Sequence, residues 1–134
     1  MNIKIKCLFL FVSLAMILSA CGAPAPTAAD PVTIAQGFWN AINAKNVDAA
    51  MAFVADDIVT NGFGAHYTNK ADLRAFWLSS VKNGDINEIT DLKLTSEDTI
   101  TYHIKVYLRG NTEFVNTLGI FHVKEGKIVY MEVQ

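Results

Sequence analysis

The sequence predicts an α+β domain: three N-terminal helices packed on one face of an antiparallel sheet. Three observations carry this. Apolar residues recur at spacings of three and four from Ile34 to Val54 and from Leu73 to Val81. From Thr90 the period changes to two, and it stays so to the end. All three prolines (Pro24, Pro26, Pro31) lie before the first periodic residue, so regular structure can run uninterrupted after them.

Asp30-Pro31 reads as a helix cap followed by the first helical residue. Ile34, Phe38, Ala41 and Ile42 then form an apolar stripe that Ala35 and Trp39 widen. Asn46 caps a second, short helix carrying Val47, Met51 and Val54. Asp57–Thr60 reads as a short strand, and Asn61–Thr68, with Gly62 and Gly64, as a loop able to act as a lid. Asn69 caps a third helix with Leu73, Phe76, Trp77 and Val81 on one face. Thr90, Leu92 and Leu94 start the sheet. The clearest strand follows, with Ile100, Tyr102, Ile104, Val106 and Leu108 on one face and Thr101, His103, Lys105 and Tyr107 on the other. A turn centred on Gly110 and Asn111 would set residue 103 opposite 118–120 and residue 122 opposite 99–101. Phe114–Lys124 and Lys127–Val133 complete the meander around a turn at Glu125-Gly126.

The first 21 residues predict an address. Lys4 and Lys6 precede an apolar run, Cys7–Ala20. The run is shorter than the about 20 residues a membrane span needs and suits a signal peptide. It ends in Leu18-Ser19-Ala20-Cys21, which resembles the lipobox of bacterial lipoproteins. That resemblance implies cleavage before Cys21 and attachment of acyl chains, palmitate among them, to its thiol. Residues 1–20 are then the signal peptide, 21–30 the lipidated cysteine with an Ala/Pro linker, and 31–134 the domain. The expected location is the bacterial cell envelope, outside the cytoplasm and held to a membrane. Gly22 in place of aspartate favours the outer membrane, facing the periplasm, in a Gram-negative source. Cys7 and Cys21 are the only cysteines, so the domain has no disulfide. Loss of Lys4 and Lys6 makes an already acidic chain (net charge −2) more so, which excludes nucleic acid as a partner.

The order of elements, with Phe53-Val-Ala-Asp-Asp-Ile-Val, the Gly-rich segment, Leu73-Arg-Ala-Phe-Trp77 and Glu125-Gly-Lys-Ile-Val-Tyr-Met131, resembles the NTF2-like superfamily. The SnoaL-like branch, related to polyketide cyclases and ketosteroid isomerases, is nearest. The resemblance spans residues 31–134 and implies a cone, a curved sheet wrapped around an apolar pocket. Strand parity then predicts its lining: Tyr102, Ile104, Val106, Val115, Thr117, Gly119, Phe121, Val129 and Met131, with Phe38, Phe53, Phe63 and Trp77 from helices and loops. The alternative is that these residues simply fill a solid core.

Ketosteroid isomerases hold an enolate oxygen with a tyrosine and a protonated aspartic acid, and move a proton with an aspartate base. The corresponding positions are Phe38, Gly119 and Gly62, and none carries the required group. The expectation is therefore a non-catalytic domain that binds a small apolar ligand or acts as an accessory module. The rival is a SnoaL-like isomerase, cyclase or hydrolase with His66 or Asp57 as general base. His103 and His122 face outward and are not neighbours, so no metal site is expected. No phosphate-binding or nucleophile motif points to a cofactor. Leu118, Ile120, Ile128 and Tyr130 are expected on the outward sheet face, where an apolar cluster implies a homodimer.

Overall fold

The computed structural model describes residues 29–62 and 65–134. The order is α1 (Pro31–Asn43), α2 (Val47–Met51), β1 (Val54–Gly62), β2 (Ala65–Tyr67), α3 (Lys70–Asn83), β3 (Ile86–Leu94), β4 (Thr99–Leu108), β5 (Thr112–Lys124) and β6 (Lys127–Val133). The predicted caps form: the side chains of Asp30, Asn46 and Asn69 accept from the backbone N–H groups of Thr33, Ala49 and Asp72. Each satisfies a donor that the first helical turn leaves unpaired.

The six strands make one curved sheet in the order β2-β1-β6-β5-β4-β3, with the helices on its inner face. All neighbouring pairs are antiparallel except β1 with β6, which is parallel. The β4–β5 register is the expected one: Tyr102 opposes Gly119, His103 opposes Leu118 and Thr99 opposes His122. The expected signal peptide, the expected lipidation site Cys21 and the pocket candidate Phe63 lie outside the described residues.

Three expectations change. Asn61–Thr68 is not a loop among the described residues. Asn61 lies among the last, turn-side residues of β1 and His66 in β2, paired as cross-strand partners. Asp57 lies in a strand as expected, within β1 where the register against β6 shifts between Val54 and Val59, and its side chain is exposed. On β6 the extra residue Val129 forms a bulge: His122 opposes Tyr130, but Val123 opposes Ile128. A bulge reverses strand parity beyond it. Ile128 therefore points into the core, fully buried, rather than outward, and Val129 does not reach the interior.

Candidate functional site

The interior of the cone is where the predicted pocket residues meet. Phe38, Trp77, Tyr102, Ile104, Val106, Phe121 and Met131 are buried, and Phe53, Val115 and Thr117 are half-buried around them. The rings interlock. Phe38 meets Trp39 at 5.1 Å, Trp77 at 5.9 Å and Phe121 at 5.5 Å between ring centres, all edge to face. Trp39 stacks on Phe121 at 5.8 Å, and Tyr102 meets Phe121 at 4.8 Å. Such contacts add to the stabilisation from burial itself.

Two glycines permit this packing. Gly37 on α1 leaves room for the Phe53 ring, and Gly119 on β5 lies directly under the ring of Tyr102. A side chain at either place would overlap the ring. The backbone at position 119 is thus bare, and the phenol of the neighbouring strand covers it. Burial pushes the Tyr102 phenol well above its ordinary pKa. Its hydroxyl, with Nε1 of Trp39 and of Trp77, has no hydrogen-bond partner among the described residues.

A recess opens between the β1–β2 hairpin and α3. Its walls are mainly apolar, with Tyr67, Leu73, Phe76, Trp77, Met131 and Val133 beside Thr60 and Asn61. Its volume is about 20 Å³, room for roughly one water molecule. Tyr67 and Phe76 close it at 5.7 Å between ring centres.

His66 and Asp57 are not brought together. Asp57 is exposed, and its neighbour Asp56 pairs with Lys70 at 3.2 Å. His66 lies on the outer face of the sheet, where its Nδ1 is 2.7 Å from Oδ1 of Asn61. Nδ2 of Asn61 donates to the hydroxyl of Tyr130 at 3.1 Å, and that hydroxyl donates to Glu132 at 2.6 Å. Sequence reasoning missed this chain. A hairpin reading of residues 61–66 would have set Asn61 opposite His66, but the link to Tyr130 spans 69 positions and depends on β1 lying beside β6. His122 lies on the same face, its Nδ1 3.0 Å from the Thr99 hydroxyl, its ring 5.2 Å from that of Tyr130. His103 sits one strand further on, opposite Leu118. Among the described residues no cluster of three or more metal-ligating side chains occurs.

The fold and this arrangement define an NTF2-like domain. A family model for the SnoaL-like domain matches residues 35–131, and the chain belongs to that family. Similar solved structures include an NTF2-like protein of unknown function from Cytophaga hutchinsonii. It is 15% identical, covers 82% of this chain and 93% of its own, and has a TM-score of 0.71. A putative polyketide cyclase from Sinorhizobium meliloti is 22% identical over 76% of this chain and 94% of its own, with a TM-score of 0.68. An epoxide hydrolase of the LEH-like type from M. tuberculosis is 16% identical over 77% and 80%, with a TM-score of 0.66. No match was found among curated proteins.

Proposed function

We propose that this chain is a lipid-anchored, extracytoplasmic SnoaL-like domain that works as an accessory binding module and does no chemistry inside its cone. The observation that carries this reading is the Tyr102 ring seated over Gly119, within a cluster of Trp39, Phe38 and Phe121. Pockets that hold drug-sized ligands run to about 300–1,000 Å³, far more than the recess beside α3 offers. That recess admits an apolar group no larger than a methyl or ethyl without rearrangement. Anchoring rests on the Leu18–Cys21 motif. A hydrophobic dye or xenon should enter the cone only weakly; strong, saturable uptake would turn the reading towards an apolar-ligand carrier. The anchor has a separate test: Cys21→Ser should abolish acylation and leave an unprocessed precursor.

Docking to a second copy belongs to the same proposal. Leu118, Ile120 and Tyr130 share the outer sheet face, and Leu118 is 39% exposed. A second reading, catalysis with His66 as base, is favoured by the hydrogen-bonded chain that ends on its ring. A His66→Gln variant with unchanged turnover would remove it.

A further inference from the structure

The outer face of the sheet carries an ordered polar chain that the cone does not use. Asn61 is the cross-strand partner of both His66 on β2 and Glu132 on β6, so the three side chains share one face. Tyr130, two residues before Glu132, joins them there. The direction of every hydrogen bond follows from which groups can donate. Ionised Glu132 can only accept, so the single proton of the Tyr130 hydroxyl goes to it across 2.6 Å. The phenol oxygen must then accept, which orients the Asn61 amide with Nδ2 towards Tyr130. Oδ1 of Asn61 therefore faces His66, and a carbonyl oxygen can only accept. Nδ1 of His66 must carry the proton, and Nε2 is left with its lone pair. The hydrogen bond to Glu132 raises the Tyr130 pKa, a rise only partly offset by Asn61, which keeps the hydroxyl proton in place.

A parallel arrangement holds the second histidine. Thr99 donates to Asp98 at 2.9 Å, so its oxygen accepts from Nδ1–H of His122 at 3.0 Å. In both cases a carboxylate fixes the proton, through the Tyr130 hydroxyl and the Asn61 amide for His66 and through the Thr99 hydroxyl for His122. An acceptor that pins one ring N–H fixes the tautomer and the ring orientation, and leaves the other nitrogen with its lone pair.

We propose that Glu132, Tyr130 and Asn61 are positioning residues that hold His66 as the Nδ1–H tautomer, making its Nε2 a proton-accepting site on the outer face. The site takes a ligand that offers a weakly acidic O–H or N–H group. The inference deepens the second reading above, in which His66 is a base. In the step it allows, the ligand's O–H or N–H bond breaks, the proton bonds to Nε2, and the electron pair stays on the ligand heteroatom. The imidazolium that forms keeps its Nδ1–H bond to Asn61, and Glu132 at the end of the chain supplies the opposite charge.

The test is the ring tautomer itself, read by ¹⁵N NMR of the histidine-labelled full chain near pH 8. His66 should show a protonated Nδ1 and an unprotonated Nε2, the reverse of what an unconstrained imidazole favours. Tyr130→Phe and, separately, the exposed Asn61→Ala should each convert most of His66 to the Nε2–H form. Glu132→Gln retains an acceptor for Tyr130 and should preserve the Nδ1–H form. His122, held by Thr99, is the internal reference and should not move in any variant that stays folded. A wild-type His66 in the Nε2–H form, or one indifferent to both Tyr130→Phe and Asn61→Ala, would overturn the proposal. Unchanged turnover in His66→Gln would remove the base reading alone and leave the tautomer result standing.

Discussion

The ring of Tyr102 occupies the space that a Cβ on Gly119, its cross-strand partner on β5, would take. Each requires the other. The glycine makes space for a fully buried phenol, and the phenol fills the volume that a larger side chain at 119 would take.

Gly119→Ala should therefore destabilise the domain. The new methyl would meet the Tyr102 ring, and overpacking of this kind costs about 1–3 kcal/mol. Chemical denaturation compared with wild type measures it. The double variant Gly119→Ala/Tyr102→Phe should recover little, because the ring itself, not the hydroxyl alone, is in the way.

Tyr102→Phe and Tyr102→Ala should behave oppositely. The first removes a buried hydroxyl that has no partner among the described residues, so stability should hold or rise slightly. The second leaves a void among Trp39, Phe121 and Ile104 and should cost about 3–5 kcal/mol. Thermal melts distinguish them. Uptake of a hydrophobic dye should increase only in the alanine variant.

Asp98 should make stability fall in acid. The Thr99 hydroxyl, chiefly, and the His122 and Lys124 charges hold its carboxyl below the ordinary carboxylate pKa. A lowered folded-state value gives a contribution present above the unfolded value and lost as pH drops through the folded one. The stability difference between wild type and Asp98→Asn should be present above the ordinary carboxylate range and close as pH falls through the lowered folded-state value. A difference that grew in acid would contradict this sign.

Leu118→Asp tests the outer face. If two copies meet there, light scattering of the wild-type chain should report a dimer and the variant a monomer, with unchanged circular dichroism. A wild-type monomer at micromolar concentration removes the dimer.

Much of this was legible in the sequence, for identifiable reasons. Strict alternation from Ile100 to Leu108 and a single turn signal at Gly110-Asn111 set the β4–β5 register, and with it the pairing of Tyr102 with Gly119. Caps at Asp30, Asn46 and Asn69 located three helix starts. The placement of Ile128 was not legible, because an inserted residue at Val129 reverses parity without any glycine to mark it. Nor was the β1–β2 hairpin. Asn61–Thr68 has the composition of a turn, and its residues Ala65–Tyr67 become strand only by pairing with β1, itself supported by β6. The His66 chain inherits that difficulty, since its members come together only when the sheet is whole.

The parallel pairing of β1 with β6 has a consequence for the order of assembly. The last seven-residue strand separates the β1–β2 hairpin from the β3–β4–β5 ribbon, and the hairpin reaches the rest of the sheet only through it. Contacts this distant along the chain form late. Until β6 is in place, β1 has only β2 beside it in the sheet, and this pair stays detached from the β3–β4–β5 ribbon.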